Sequence, residues 1–240
     1  MSCGNVIFCH RDNQISESMK RIIIICEGPT EREFCNTVLA PYLAPKGIYL
    51  NAPLIKHSHG GIVPWPLLQQ QIDIHLRAEH TAYVTTLIDY YGLADRHHFP
   101  MWEASRHLAQ VAEAVTMIEQ GMLNAIDESM RPRFIPYIQL HEFEGLLFSS
   151  IDVFEKVIPH DDLMGTGELK QIAEGFDNPE MINNSRETSP SHRLERIIRG
   201  YDKVVYGNYI AEAIGINRIC ERCPRFNSWV ERLTAVKGLA

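Results

Sequence analysis

The sequence predicts an α/β fold with a mostly parallel β-sheet flanked by helices, plus a C-terminal helical extension. Three observations predict this class. Segments typical of strands and of helices alternate from about residue 20 to residue 150. Residues 22–26, which follow Arg21, are continuously apolar and mostly β-branched, as in strands that are buried on both faces of a parallel sheet. After residue 150 only turns and short amphipathic helical segments follow.

The first half of the chain supplies the start of this pattern. Residues 21–26 form the first strand and residues 27–30 a turn. Thr30, with Glu33 in the capping-box position, is expected to begin a helix that runs to about Tyr42. A strand is expected at residues 48–55, a loop at 57–61 and a helix from residue 63 to about residue 77.

The next strand covers residues 81–88 and ends at Asp89. A helix over about 103–129 should break at Gly121, and residues 133–140 form another strand. In that strand Pro136 indicates a sheet edge or a bulge. Residues 141–148 turn helical. Further helices are expected at residues 169–175, 192–198, 205–214 and 227–236. We therefore divide the chain into a flexible extension (1–18), an α/β domain (19–150) and a helical region packed on it (151–240).

The composition is that of an ordinary globular chain, with 45% hydrophobic and 22% charged residues. The longest purely apolar run, residues 22–26, is far shorter than the ~20 residues of a membrane span, so we expect no membrane partner. Six cysteines without a secretory signal segment favour free thiols and a cytoplasmic protein. A single CxxC, Cys220 and Cys223, is at most half of a zinc site.

The net charge of −7 is unevenly distributed along the chain. Residues 1–185 carry 13 Lys and Arg against 24 Asp and Glu, a balance of −11, whereas residues 186–240 carry 10 against 6, a balance of +4. The overall sign argues against a protein that holds a polyanion such as DNA. Its distribution raises the question of what the carboxylates in the first part do.

Acidic residues follow three of the strands. Glu27 ends the first, Asp89 the third, and Glu142 and Glu144 the fourth. Ligands of open α/β sheets bind at these carboxyl ends. Glu31 lies four residues after Glu27, on the same face if the helix begins at once. Five converging carboxylates would repel one another, so divalent cations, Mg²⁺ or Mn²⁺ for such oxygen ligands, would explain them. The alternative is that they are ordinary caps and surface charges.

Histidines near these strand ends allow two interpretations each. His141 is either a metal ligand or general base, or a buried structural residue. His57 and His59 precede Gly60 and Gly61, where they either contact a phosphate or are simple loop residues.

Several of these segments resemble a known group of proteins. Residues 27–31, after an Ile-rich strand, resemble the first motif of Toprim domains of the overcoming-lysogenization-defect nuclease and RloB-like type, and residues 89–92 resemble their second acidic motif. Residues 134–148 closely resemble an uncharacterised bacterial Toprim-like family of unknown function. Its members are often encoded beside an AAA or ABC-type ATPase in phage-defence clusters. The similarity extends through residues 190–194 and 201–203 and covers most of residues 20–236.

The resemblance implies a Toprim-like Rossmannoid domain and a metal-dependent nuclease, with DNA favoured over RNA as the expected substrate. Glu27 would match the first Toprim glutamate, a metal ligand or general acid/base, and Glu31 the second acid of that motif. Asp89 would match the first Asp of an Asp-x-Asp pair. The second Asp of that pair is Tyr91 here, so a second metal would need the carboxylate of Glu142 or Glu144. We predict that the catalytic residues are Glu27, Asp89, Glu142 and His141.

The resemblance also implies partners. The chain has no Walker A motif, so an AAA or ABC-type ATPase would act in trans, and a homo-oligomer is compatible with the sequence. The substrate backbone would be held by basic residues of the C-terminal part, some of them at i, i+3, i+6 on a helix: Arg186, Arg193, Arg196, Arg199 and Lys203. The alternative is a solvated basic face with ion pairs to Glu195 and Asp202.

Two other functions compete with the nuclease. One is a non-catalytic Toprim-like interaction module of an ATPase complex, which Tyr91 in place of an acid favours. The other is a metal-dependent nucleotide phosphohydrolase, in which His57, His59 and the glycine pair would contact phosphate.

Overall fold

The centre of the protein is a parallel β-sheet. A computed structural model describes residues 20–58, 61–182 and 188–238. The strands are β1 (Lys20–Cys26), β2 (Ile48–Asn51), β3 (Ala82–Asp89), β4 (Phe134–Ile135) and β5 (Ile138–Gln139). Their order is β2-β1-β3-β4, β5 also pairs with β3, and every pairing is parallel. The predicted α/β class is confirmed. The extension proposed for residues 1–18 lies outside the described residues, as do His59 and Arg186.

The central strand β1 is buried on both faces, as its sequence predicts. Ile22, Ile24 and Cys26 belong to one apolar cluster, and Ile23 and Ile25 belong to another on the opposite face of the sheet. Successive strand side chains point to opposite faces, so a strand covered on both sides needs an unbroken apolar run. The sheet is therefore the middle layer of three.

One outer layer consists of α3 (Trp65–Ala78), α4 (Trp102–Ser105) and α5 (Val111–Ala125). The other layer begins with α1 (Pro29–Phe34), which continues through a π-helical turn (Cys35–Leu39) into α2 (Ala40–Leu43). The C-terminal helices join this second layer: α6 (Phe154–Val157), α7 (Thr166–Glu174), α8 (Pro190–Ile197), α9 (Val205–Ile214), α10 (Ile216–Arg222) and α11 (Pro224–Thr234).

The C-terminal helices share their core with the sheet. Trp229 of α11 is buried and stacks on Tyr137, with ring centroids 4.5 Å apart and an interplanar angle of 14°. Its indole Nε1–H donates to the hydroxyl of Thr85 on β3 at 2.9 Å. One apolar cluster therefore runs through the sheet and the helices after residue 150.

The fourth strand is interrupted where Pro136 stands. β4 and β5 are two residues each, and Tyr137 between them bonds to a side chain: the Thr86 hydroxyl donates to its carbonyl at 2.7 Å and accepts from its N–H at 3.1 Å. Proline cannot donate to a ladder and is confined to edges and bulges. β4 is an edge strand, so the interpretation of Pro136 is confirmed.

The helix expected over residues 103–129 differs in its break. The chain leaves the helix after Ser105 and begins α5 at Val111, and Gly121 lies inside α5, so the break at Gly121 was wrong. A Cβ on Gly121 would come within 2.8 Å of Met101 Cγ and 2.9 Å of Pro100 Cβ. The glycine is explained by this close approach of α5 to the segment before α4.

The first helix begins earlier than its sequence suggested. Gly28 is the N-cap, Pro29 is the first helical residue and Glu31 is at the third position, so the Thr30 and Glu33 capping box was wrong. Proline favours the first helical position because it has no N–H to leave unpaired there. The second strand is also shorter than residues 48–55, with one further bridge between Cys26 and Leu54.

Each of the four helices expected after residue 168 is present, with ends that differ from the prediction by at most three residues. The helix over residues 205–214 is confirmed, whereas α6 and α10 were not predicted. Phe143–Ser149 forms a 3₁₀-helix where residues 141–148 were expected to turn helical. Cys26 and Cys35 are fully buried, as expected for small apolar residues. Among the described helices, none combines the length and the apolar character needed to cross a membrane.

Candidate functional site

Two strand ends place the first two acidic residues side by side. Asp89 is the last residue of β3, and Glu27 directly follows β1, its N–H donating to the Leu87 carbonyl at 3.0 Å. The Glu27 side chain reaches across to β3, where its Oε2 accepts the backbone N–H of Asp89 at 2.9 Å. The pairing of β1 with β3 thus brings Glu27 to Asp89.

Glu31 joins them from the first turn of α1. Its Oε2 accepts the N–H of Gly28 at 2.8 Å, and the residue is 8% exposed. Because the helix begins at Pro29, Glu27 lies before it, so the i, i+4 helical spacing does not relate these two residues. The side chain instead turns back toward the strand end as an N-terminal cap.

The segment after β5 brings the last two acids. His141 has a left-handed backbone, with φ of 66°, and its carbonyl accepts the N–H of Tyr91 at 3.0 Å. The N–H of Phe143 donates to Oδ1 of Asp89 at 3.1 Å. These two bonds tie the segment to the end of β3 and hold Glu142 and Glu144 beside it. We call the resulting group the acidic cluster: Glu27, Glu31, Asp89, Glu142 and Glu144.

The C-terminal layer contacts the acidic cluster at two points. Oε2 of Glu142 accepts the N–H of Ser191 at 3.0 Å, and Oε1 accepts the Ser191 hydroxyl at 3.2 Å. Glu144 Oε1 lies 3.2 Å from the Lys203 ammonium. The Glu144 side chain is 4% exposed and that of Lys203 46% exposed, so the pair lies at the border between cluster and solvent.

Burial and mutual repulsion raise the pKa of four of these carboxyls. Burial is the main cause of the raised pKa of Glu27, with smaller contributions from Glu144 and Glu142. Burial raises the pKa of Glu31 to about 7, and the charge of Glu27 adds to the effect. Burial followed by the charge of Glu27 raises the pKa of Asp89 well above its usual range.

Glu144 differs in having a cation beside it. Burial raises its pKa, the nearby Lys203 ammonium opposes this, and Glu142 adds to the rise. The pKa of Lys203 is itself raised: its burial acts in the opposite direction and is outweighed by Glu144 and other acids of the cluster. The structure therefore brings the five predicted carboxylates into electrostatic contact, with Lys203 at their edge.

The acidic cluster offers the type of donor atom that a hard divalent cation prefers. All five residues offer carboxylate oxygens, the ligands that Mg²⁺ and Mn²⁺ prefer. Within the described residues, Oε1 of Glu27 and Oδ2 of Asp89 accept no hydrogen bond. The buried hydroxyl of Tyr201, which interacts electrostatically with Glu144, also has no partner there. However, in residues 20–58, 61–182 and 188–238 no three acidic, His or Cys side chains form a ready-made ligand set.

His141 contributes mainly its backbone to this site. Burial lowers the pKa of its imidazole, with a smaller opposing effect from Glu142. Its left-handed conformation turns the chain from β5 toward Glu142. The roles of metal ligand and general base that the sequence suggested stay predictions.

Two of the basic residues proposed for nucleic-acid binding lie on α8 and have partners within the chain. Arg193 Nε donates to the Thr188 carbonyl at 2.6 Å, and Arg196 forms an ion pair with Glu168. Arg199 lies beyond the end of α8 at Ile197, so the expected i, i+3, i+6 series on one helix was wrong. The helix ends there because Ile198 has extended backbone, with φ of −118°.

Sequence reasoning missed three contributors to the site. Ser191 follows Pro190 at the start of α8 and gives no periodic signal that would connect it to Glu142. Gly92 approaches Glu27 so closely that a Cβ there would lie 3.4 Å from its Oε1. Asn208 donates to the Thr30 carbonyl at 3.4 Å, beside Glu31.

Tyr91 stands where the second acid of the Toprim motif was expected, and this residue is 41% exposed.

A groove elsewhere on the surface is more apolar than this site. It has a volume of about 660 Å³ and is lined by Met101, Met117, Arg225 and residues of α5. No member of the acidic cluster lines it. We take the acidic cluster as the candidate site because convergent titratable groups with a perturbed pKa are typical of functional sites.

Comparison with known proteins gives a family. No curated protein and no solved structure matches the chain. The profile of a family described as a domain of unknown function, DUF4276, matches residues 26–234. This range contains all five residues of the acidic cluster and extends from the end of β1 to the end of α11. The chain therefore belongs to the DUF4276 family.

Proposed function

We propose that the protein is a metal-dependent nuclease that hydrolyses phosphodiester bonds, with DNA as the favoured substrate and RNA as the alternative. In this proposal it is the cytoplasmic effector subunit of an ATPase-linked phage-defence system. The observation that carries the proposal is the acidic cluster at the carboxyl edge of a parallel sheet, where four of five carboxyls have a raised pKa. The motif resemblance to Toprim nucleases and the family match over residues 26–234 are consistent with it.

The residues have distinct parts in this proposal. Glu27 and Asp89 would hold the cation through the oxygens that accept no hydrogen bond in the described chain, with Glu31 and Glu144 as further ligands. A bound divalent cation would supply charge neutralisation for the phosphate and an activated water. Glu142, fixed by Ser191, keeps the 3₁₀-helix against α8 and so positions Glu144. The raised pKa of Glu31, about 7, suits a group that holds or releases a proton near neutral pH.

A plasmid-nicking assay with Mg²⁺ or Mn²⁺ tests the nuclease. We expect Glu27→Gln and Asp89→Asn to lower the cleavage rate at least about 100-fold, because each removes a charged ligand without changing side-chain size. Asp152→Asn is the matched control, since Asp152 is exposed outside the cluster. Equal cleavage by all four proteins would mean that the activity belongs to a contaminant or to another site.

One observation favours a second candidate, a non-catalytic interaction module of an ATPase complex. Tyr91 replaces the second acid of the Toprim motif, and the described residues contain no ready-made ligand set. Calorimetric titration with millimolar Mg²⁺ and Mn²⁺ separates the two candidates. Absence of metal binding, together with a stable complex with an ATPase, would support the module. Assaying nucleotides beside plasmid separates the nuclease from a nucleotide phosphohydrolase.

A further inference from the structure

Lys203 occupies an unusual position for a residue that would hold substrate. Its ammonium lies 3.2 Å from Oε1 of Glu144, whose side chain is 4% exposed. It also interacts electrostatically with Glu142, Asp89 and Glu27. In the described chain, no other ion pair involves a member of the acidic cluster. The lysine therefore supplies positive charge where buried acids need it.

The lysine also has the freedom to leave this position. Its side chain is 46% exposed, and it stands in the connection between α8 and α9, next to exposed Val204. Gly200, three residues earlier, has a left-handed backbone with φ of 67° and open space around it. A flexible side chain on an exposed connection can turn to solvent at little conformational cost. The acids, in contrast, are fixed to backbone groups of β3, α1 and α8.

We infer that Lys203 is the internal counter-cation of the acidic cluster, and that it competes with the divalent cation for Glu144. In this arrangement the Lys203–Glu144 ion pair and the metal complex are alternative states of the same site. The inference rests on the proposed metal dependence and deepens it, because it assigns Lys203 a regulatory role instead of contact with the nucleic-acid backbone. It also explains why the five acids lie close together although, in the described residues, no three of them are arranged as metal ligands.

Mn²⁺ binding to the full chain, followed by electron paramagnetic resonance, tests this competition. Lys203→Met removes the ammonium and keeps most of the side-chain length, so the dissociation constant for Mn²⁺ should fall at least about fivefold. Lys203→Arg keeps the charge and should bind Mn²⁺ much as the wild type does. Lys170→Met, an equal loss of charge at an exposed site on α7, should leave the affinity unchanged.

Thermal unfolding gives a second readout that does not depend on activity. Without metal, Lys203→Met should melt below the wild type, because the acids lose their counter-charge, and Mn²⁺ should raise its melting temperature more than that of the wild type. If Lys203→Met does not fold, Lys203→Gln takes its place in both measurements, with the same expected results.

Each other outcome has a defined meaning. An unchanged or weaker Mn²⁺ affinity in Lys203→Met would overturn the inference and leave the nuclease proposal standing. If Lys203→Met loses DNA binding but keeps the wild-type affinity for Mn²⁺, the inference is overturned in the same way. Lys203 would then be a substrate contact. Absence of Mn²⁺ binding in the wild type and in every variant would overturn the proposed metal dependence itself, and this inference with it.

Discussion

At the scale of single residues, the acidic cluster is a set of carboxylates held by backbone N–H groups from separate parts of the chain. Glu27 is held by β3, Glu31 by its own helix start, and Glu142 by α8. Hydrogen bonds to the charged form lower a carboxyl pKa, whereas burial raises it. Burial prevails at Glu27 and Glu31, so the fold keeps these acids in an environment that disfavours their charge.

This balance predicts a pH dependence of stability in the metal-free protein. The pKa of Glu31 is about 7 in the folded state and about 4.5 in the unfolded chain, so the folded chain binds more protons between these pH values. The free energy of unfolding should therefore fall as the pH rises from about 4.5 to about 7, by about 2 kcal/mol. Urea unfolding at several pH values measures it.

Glu31→Gln should make this fall smaller, because the amide cannot titrate while its oxygen can still accept the Gly28 N–H. The other acids with a raised pKa should keep the rest of the slope. Glu33→Gln, on the same helix but outside the cluster, should keep the wild-type slope. A wild type whose stability rises over this pH range would contradict the assignment.

The acids at two strand ends could be predicted from sequence because each lies next to an apolar run in the chain. Glu27 and Asp89 follow such runs directly, and parallel strands end at the same edge. The bonds from Ser191 and Lys203 could not be predicted, because they join residues 49 and 59 positions apart through the packing of α8 and α9. The position of Arg199 outside α8 could not be predicted either, because the helix ends at Ile197, before that residue.

At the scale of elements, a distant glutamate caps α11. Glu180 is 2% exposed, and its two oxygens accept the N–H groups of Arg225 at 2.8 Å and Phe226 at 3.0 Å. The first N–H groups of a helix have no partner within it, so an acceptor from elsewhere satisfies them. This contact fixes the start of α11, and hence Trp229, relative to the 3₁₀ turn that contains Glu180.

Glu180→Ala should therefore destabilise the protein by about 2 kcal/mol or more, because it leaves two helix N–H groups without acceptors in a buried environment. Glu180→Gln, which keeps one acceptor oxygen, should cost less. Chemical unfolding measures both, with exposed Glu174→Ala as the control. Equal stability of the Ala variant and the control would exclude a capping role.

Gly121 in α5 permits a sharper test of close packing. Alanine is favoured over glycine within a helix by about 1 kcal/mol, but its Cβ here would lie 2.9 Å from Pro100 Cβ and 3.1 Å from the Pro100 carbonyl carbon. The rigid ring and backbone cannot yield easily, so the clash should outweigh the propensity. Gly121→Ala should lower the free energy of unfolding by about 1 kcal/mol.

Gly167 in α7 is the matched control, because no atom lies within 4 Å of a Cβ placed on this glycine. Gly167→Ala should leave the stability unchanged or raise it by up to about 1 kcal/mol. A stabilising effect at both glycines would show that the approach of α5 to Pro100 is not a constraint.

At the scale of the whole molecule, the C-terminal helices supply one of the two layers that cover the sheet. One apolar cluster contains β1 residues, Phe143 and Phe226 together. Short amphipathic helices predicted from sequence did indicate a packed region, but not which sheet face it covers. The helix periodicity shows that a face is apolar, and only the tertiary arrangement decides its partner.

A fragment that ends at residue 150 should therefore fail to fold cooperatively. It would expose Ile22, Ile24 and Leu147 to water, since these are fully buried in the cluster shared with the C-terminal helices. We expect the fragment to bind a hydrophobic dye and to be digested rapidly by protease, and the full chain to unfold in one transition. A fragment with a sharp thermal transition would establish two independent domains.

The interrupted fourth strand also bears on self-association. An open sheet edge with unpaired N–H and C=O groups can template a strand from another molecule, and fibrils grow in this way. At this edge Pro136 offers no N–H, and the N–H of Ile138 is taken by the carboxylate of Glu119 at 2.9 Å. The opposite edge, β2, is four residues long. Both edges of the sheet are thus poor templates for a strand from another molecule. The protein should therefore remain free of edge-to-edge aggregation at concentrations at which a protein with a long open edge strand would polymerise.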